Sequence, residues 1–337
     1  MKAGTLGELN LVRSVIKHIR RHNKSLVKGA GVGNDAACVR ISDTDKYIFQ
    51  TEAVSETPYI AWTKAMNNLA ASGGNPVGVR LTALLPENVR EPFIKQYMAE
   101  FNKLADESET QIMGGHTETG RAYAYPSFVV GVTGTSDAYI QDVKSIVPGD
   151  EIVMTKYAGL MGTDIIARSH IDSLTTRYAE SYVRGAFFDR ELYSVRKEAQ
   201  IAHDDTFGIK YMHDVSHGGV YGALWQLGAG TGHGIVADNS KIPIRQETIE
   251  VCEFFNINPY MLDGTGSLLM VAKHGEAVVQ CLNDMGINAE IIGNVTESKE
   301  RIVNTGTEKR FLTPISGDEI YKVMSGISML SCDEPNN

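Results

Sequence analysis

The stretch from Pro58 to Leu85 constrains the fold most. "PYIAWTKAMNNLAASGG" (58–74) places Pro58 where the first turn of a helix tolerates it, and ends on Gly73-Gly74. "PVGVRLTALL" (76–85) follows at once, alternating and carrying β-branched residues, and reads as a strand. A helix that feeds straight into a strand belongs to an α/β chain, and the flanks continue the pattern. "LNLVRSVIKHIRR" (9–21) spaces Leu9, Val12, Ile16 and Ile19 as a helix. "YIFQTEAV" (47–54) and "PSFVVGVTGTSD" (126–137) read as strands, and "PFIKQYMAEFNKLADES" (92–108) as an amphipathic helix. Pro148-Gly149-Asp150 then makes a turn before a fresh strand. Beyond it the alternation repeats loosely. Helices follow "YAGLMGTDIIARS" (157–169), "GGVYGALWQLGAG" (218–230) is a helix, 234–244 a strand, and 268–298 gives strand, helix and strand. The order predicts two α/β units meeting near residue 148, over 1–148 and 149–310. A tail over 311–337 completes the chain, and its last residues, "SCDEPNN", read as disordered.

Charge and cysteine content narrow the function. The 337 residues include 41 acidic and 32 basic side chains, net −9, which excludes a surface built for nucleic acid or an anionic membrane. The nearest basic cluster, "KHIRRHNK" (17–24), suits the solvated face of a helix. Cys38, Cys252, Cys281 and Cys332 are far apart, without metal-ligand spacing or the density of a disulfide scaffold, as expected of reduced thiols. The N-terminus lacks the apolar core of a signal peptide, and no run reaches the roughly 18 apolar residues of a membrane span. The expectation is a soluble, cytoplasmic protein.

Four places in the first unit set a carboxylate, amide or imidazole beside glycine or at a strand end. They are "GNDAA" (33–37), "TEAV" (51–54), "NNLAASGG" (67–74) and "GGHTETG" (114–120). Oxygen-rich side chains converging from several strand–helix junctions are what Mg²⁺ and a polyphosphate require, because Mg²⁺ takes one or two carboxylates plus phosphate oxygens. Glycine lets backbone N–H groups approach those oxygens. Each stretch also has a plain structural reading. Asp35 suits an Asx turn, Glu52 an edge carboxylate, Asn68 a buried amide bonded to its own helix, and GGHT a turn. Their common order favours one shared site, with "GGHTETG" as a phosphate-side loop. In the second unit, "MHDVSHGGVYGAL" (212–224) sets Asp214, Ser216 and His217 just ahead of a helix whose N-terminus could receive an anion. A simple N-cap is the competing reading. The glycines of "AGLMGTD" (158–164) and "LDGTGSLL" (262–269) read as packing or turn positions. No Walker A loop, Rossmann fingerprint, zinc-protease helix or catalytic triad can be picked out.

"GVGNDAACV", "MNNLAASGGNPVGV", "GGHTETG", "AGLMGTDIIA" and "MHDVSHGGVYGALWQL", in that order, resemble the aminoimidazole ribonucleotide (AIR) synthase superfamily over about residues 5–310. The wording is most similar to its hydrogenase-maturation member HypE. The resemblance implies a two-domain AIR synthase-like fold of the α/β (α+β) class. Its N-terminal mixed sheet would pair across a homodimer, its second domain would be α/β, and Mg-ATP would sit between the two. It implies an ATP-dependent enzyme that phosphorylates an amide or carbamoyl oxygen in a dehydratase-type reaction, with a carbamoyl-type or other small-molecule substrate and a maturation partner protein. A nucleotide-binding scaffold with weakened catalysis, or a small-molecule kinase like thiamine-monophosphate kinase, stays open beside it. By position, Asp35, Glu52 and Asp214 would hold Mg²⁺. Asn68, Gly114, Gly115, Thr117, Glu118 and Ser216 would contact the nucleotide, and Lys28, His116 and His217 would serve catalysis. Asn68, His116 and His217 stand where other members gather carboxylates, which weakens a hard-cation site. HypE works through a cysteine that ends its chain, whereas Cys332 is followed by "DEPNN".

Overall fold

The computed structural model describes residues 6–20, 23–41, 46–314 and 316–324. The first unit holds α1 (Glu8–Ser14), β1 (Leu26–Lys28), β2 (Ala37–Arg40), β3 (Tyr47–Ser55), α2 (Pro58–Ala71), β4 (Asn75–Pro86), α3 (Glu91–Glu107), β5 (Gln111–Gly120) and β6 (Ser127–Ser136). Its sheet runs β1-β2-β3-β6-β4-β5, antiparallel except for the β4–β5 pair. The helix expected over 9–21 is shorter, stopping at Ser14 before a 3₁₀ turn at Ile16–His18. Helices α2 and α3 cover one sheet face, burying Phe49, Trp62, Leu69, Phe101 and Phe128. Alternation decides which residues join that core. In β3, Phe49 and Thr51 are buried while Gln50, Glu52 and Val54 are exposed on the other face. That second face stays open within the chain.

The second unit contains β7 (Glu151–Thr155), α4 (Leu160–Ser169), α5 (Ile171–Leu174), α6 (Glu180–Arg184), α7 (Arg196–Gln200), β8 (Ile209–Val215), α8 (Gly219–Thr231) and β9 (Gly234–Asp238). It continues through α9 (Gln246–Phe254), β10 (Ser267–Ala272), α10 (Gly275–Asp284), β11 (Ala289–Thr296), β12 (Arg301–Asn304), β13 (Lys309–Phe311) and α11 (Ile320–Val323). Its sheet runs β13-β12-β9-β11-β7-β10-β8, with β12–β9 the parallel pair. All of β10 is buried, because helices pack on both faces. The chain stays packed past residue 311: Leu312, Ile320 and Met324 are buried, and α11 lies on α4. Cys332 and "SCDEPNN" lie outside the described residues.

Helix α2 joins the two units. Ten of its fourteen residues are buried, four of them alanines, so it packs against β3 and β6 on one side and β8 and α7 on the other. Two amides pin the seam. Asn67 donates to the Tyr193 carbonyl at 2.7 Å and accepts from Val195 N–H at 3.1 Å. Gln141 donates to the carbonyls of Ala71 and Met212 and accepts from Met212 N–H. Pairing of this kind is what permits polar groups to sit in a dry seam.

Candidate functional site

Glycine sets the site's first wall. Gly33 has φ +72, and a Cβ there would stand 2.4 Å from the Gln226 carbonyl oxygen of α8. Only glycine lets this loop lie on α8, where the Tyr211 hydroxyl holds the Gly33 carbonyl. Two residues on, Asp35 therefore faces the end of β8. Its carboxylate is 2.7 Å from His213 Nδ1 and accepts from Asp214 N–H at 3.4 Å. Ligand-type atoms of Asp35, His213 and Asp214 all lie within 4.8 Å of one another. Asn68 completes the group from α2: with its amide turned so that both ends are satisfied, its nitrogen donates to Asp214 Oδ1 at 3.1 Å and to the Lys64 carbonyl at 3.2 Å, and its oxygen accepts from the Thr51 hydroxyl at 3.2 Å.

Electrostatics follow from burial. Desolvation first, and the Asp35 charge second, push Asp214 up to about 7. His213 moves the opposite way from what burial alone dictates. Burial lowers it, but Asp35, with Asp214 and Gln226, outweighs that and lifts it to about 9. Its second nitrogen faces Gln226 Oε1 at 2.8 Å, so both ring nitrogens face acceptors and the ring is held as a cation. Lys64 reaches across the seam to Asp263 at 2.5 Å, both side chains largely buried. Asp318 accepts from the Gly218 N–H ahead of α8 at 2.6 Å, and burial with the Asp263 charge pushes it up to about 7.

Of the residues singled out in the sequence, Asp35, Asn68 and Asp214 meet here. Lys28 lies close by, its ammonium 4.9 Å over the Tyr211 ring, and burial lowers its pKa against the pull of Asp35. Ser216 and His217 start the α8 turn. The Ser216 carbonyl accepts from Gly219 and Gly264, and His217 Nε2 is buried without a partner. Glu52 does not join them. Its side chain, 66% exposed, sits on the open sheet face 3.9 Å from Arg80.

"GGHTETG" is a strand, where the sequence predicts a loop. It forms the outer edge β5, with a bulge at Met113 that pairs Ile112 with Val79 and Gly114 with Arg80. A Cβ on Gly115 would fall 1.7 Å from the Leu81 carbonyl oxygen, so glycine permits the close pairing with β4. Register sets Gly114, His116 and Glu118 opposite Arg80, Thr82 and Leu84, while Thr82 pairs with Val129 and Val129 with Val54. His116 and Glu118 thus share the open face with Glu52. His116 Nε2 is 2.8 Å from Glu118, which also accepts from the Tyr123 hydroxyl. Four strand spacings, about 19 Å, separate β2 from β5, so Gly114, Gly115 and Thr117 do not reach Asp35 within one chain.

Sequence reasoning missed His213, Lys64, Asp263 and Asp318. His213 stands beside Asp214 in a stretch already singled out, and Lys64 precedes Asn68 by one helical turn, so both left a trace. Asp263 was masked by the glycines of "LDGTG", and Asp318 carries no local signal.

Residues 33–136 match the N-terminal domain, and residues 147–305 the C-terminal domain, of AIR synthase related proteins. A Methanocaldococcus jannaschii protein named for hydrogenase expression and formation is 24% identical, covering 93% of this chain and 96% of its own length. Carbamoyl dehydratase HypE of Cupriavidus necator is 22% identical, covering 86% of each. A crystal structure of HypE in complex with ATP superposes with a TM-score of 0.68 at 15% identity, covering 93% of this chain and 95% of that one. Among the described residues, no helix is long and apolar enough to cross a membrane.

Proposed function

The chain belongs to the AIR synthase related protein family, and from that premise we propose an ATP-dependent enzyme of the HypE type. In this reading the γ-phosphoryl group of ATP is transferred to an amide or carbamoyl oxygen, which then leaves as phosphate. The observation that carries the reading is the meeting of Asp35 and Asp214 beside Asn68 at the seam.

The donor set fits Mg²⁺. Two carboxylates within ligand reach are oxygen donors of the kind a hard cation takes, and the raised pKa of Asp214 marks charge that a cation would relieve. Asp35 and Asp214 would hold the ion, whose chemistry there would be to supply positive charge against that of the phosphates. Asn68 orients the Asp214 carboxylate. Lys64, fixed by Asp263, sets a buried positive charge near it. Lys28, buried near Asp35, adds a second positive charge in reach of that carboxylate.

One feature favours the second reading, a nucleotide-binding scaffold with weakened catalysis. His213 already supplies a cation to Asp35, so part of the charge that would bind metal is spoken for.

Asp35→Asn tests the choice. We expect Mg-ATP turnover to fall on the order of a hundredfold while the fold persists. Undiminished turnover in that variant would overturn the enzyme assignment. ATP stabilisation without wild-type turnover supports the scaffold; ligand at a hundredfold over Kd adds about 2.7 kcal/mol. Phosphate appearing on an added acceptor, in place of free orthophosphate, identifies a kinase.

A further inference from the structure

A cleft of about 970 Å³ opens on the other flank of α2, between α2, α3 and the α7 region of the second unit. Thr63, Met66 and Asn67 line it, whereas Lys64 and Asn68, one position on, turn toward the carboxylates. Its charge runs against that of the chain. The protein carries net −9, yet Lys103, Lys156, Arg190, Arg196, Lys197 and Arg245 line this cleft against four glutamates. Glu107, Glu198 and Glu100 are taken by Lys103, Lys156 and Arg190, at 3.7, 2.7 and 3.5 Å, and Arg245 is paired with Glu247 at 3.4 Å. Among the described residues, no acid pairs with Arg196 or Lys197, which lie together on α7.

The cations are held in place. The Arg190 guanidinium lies 4.1 Å over the Tyr59 ring, and that of Arg245 stands 5.5 Å from the Tyr157 ring and 5.0 Å from Phe188. Stacked guanidinium planes lose little freedom when an oxyanion docks. Lys156 sits at the cleft wall with its side chain only 8% exposed and its backbone at φ +54. A non-glycine residue keeps that conformation only where its surroundings enforce it. Of its three ammonium hydrogens, Glu198 and the Ser194 carbonyl account for two, at 2.7 and 2.6 Å. Among the described residues that ammonium keeps a donor to spare, and Arg190, Arg196 and Arg245 line the same cleft, features of an anion-binding floor.

We propose that this cleft binds a small organic oxyanion, a carboxylate or a phosphate ester, whose apolar body lies along Tyr59 and Met285. The site is separate from the Asp35–Asp214 group and does not depend on the function proposed above. It shares α2 with that group but meets the helix through Thr63, Met66 and Asn67.

Trp62 at the cleft wall reports on occupancy once Trp225 is replaced, since the chain has two tryptophans. In a Trp225→Phe background, at constant ionic strength and without divalent cations, emission is followed against phenyl phosphate, benzoate and inorganic phosphate. A saturable change is expected with phenyl phosphate or benzoate, and the tighter of the two identifies the anion class. Adding Lys197→Glu, exposed on α7, and Arg196→Glu, half-buried beside it, should raise the midpoint by roughly tenfold, while Asp35→Asn should leave it within about twofold. Far-UV circular dichroism confirms that each variant is folded. No saturable change into the tens of millimolar with any of the three would overturn the proposal. So would a midpoint indifferent to the charge reversal, or one lost with Asp35→Asn.

Discussion

Asp214 ionises against two penalties at once, its own burial and the neighbouring Asp35 charge, and the consequence is a pH-dependent stability. An unfolded Asp titrates near 3.9, whereas folded Asp214 and Asp318 are both pushed up to about 7. Between roughly pH 4 and 7 the unfolded chain therefore gives up protons that the folded chain keeps, and stability falls as pH rises through that window. His213 adds to the trend. Its folded value of about 9 exceeds the free value of 6.5, so its contribution is complete below 6.5 and lost as pH climbs through 9. Without divalent cations, Asp214→Asn should then gain a few degrees in Tm over the wild type at pH 8 and little at pH 5. Calorimetry at the two pH values, with and without Mg²⁺, reads this directly, and Mg²⁺ should narrow the gap at pH 8. An Asp214→Asn variant less stable than the wild type at pH 8 without metal would contradict the account.

Among the elements, α2 binds the units together, and its single buried amide at Asn67 shows how. Asn67→Ala leaves the Tyr193 carbonyl and the Val195 N–H without their buried partner, which should cost about 3 kcal/mol. Urea denaturation measures it, and a loss below about 1 kcal/mol would mean that water replaces the amide. The same helix shows what sequence makes visible. Pro58 and Gly73-Gly74 bracketed it because ring-fixed and left-handed backbone angles leave local marks. Strands β4 and β6 were legible because burial on one face imposes alternation. Strand β5 was not: glycine is a poor strand former, and "GGHTETG" is extended only because β4 pairs with it through a bulge. The site divides along the same line. Asp35 and Asp214 stood out through the glycines beside them. Lys64 and Asp263, 199 residues apart, become partners only when the units close, and Asp318 arrives from beyond the point where a tail was expected to begin.

Taken as a whole, the molecule splits the residues singled out in its sequence into two groups, one at the seam and one on a sheet face that a second copy could cover. Asp35, Asn68 and Asp214 gather at the seam, while Glu52, His116 and Glu118 stand on the uncovered sheet face with Val54 and Val129. An antiparallel sheet can leave one face to water, but then its outward residues are polar, and Val54 at 64% exposure departs from that rule. Two copies packed face to face would bury Val54 against its counterpart and bring one chain's His116 and Glu118 toward the other's Glu52. Light scattering should therefore give twice the 36.8 kDa chain mass at micromolar concentration. Val54→Glu, placing a charge in the centre of the contact, should shift the population toward the single-chain mass without unfolding it, because the position is solvent-exposed in one chain. A wild type of 36.8 kDa would remove the dimer altogether. A dimer indifferent to Val54→Glu would move the contact to another surface and leave Glu52 and His116 as ordinary solvated side chains.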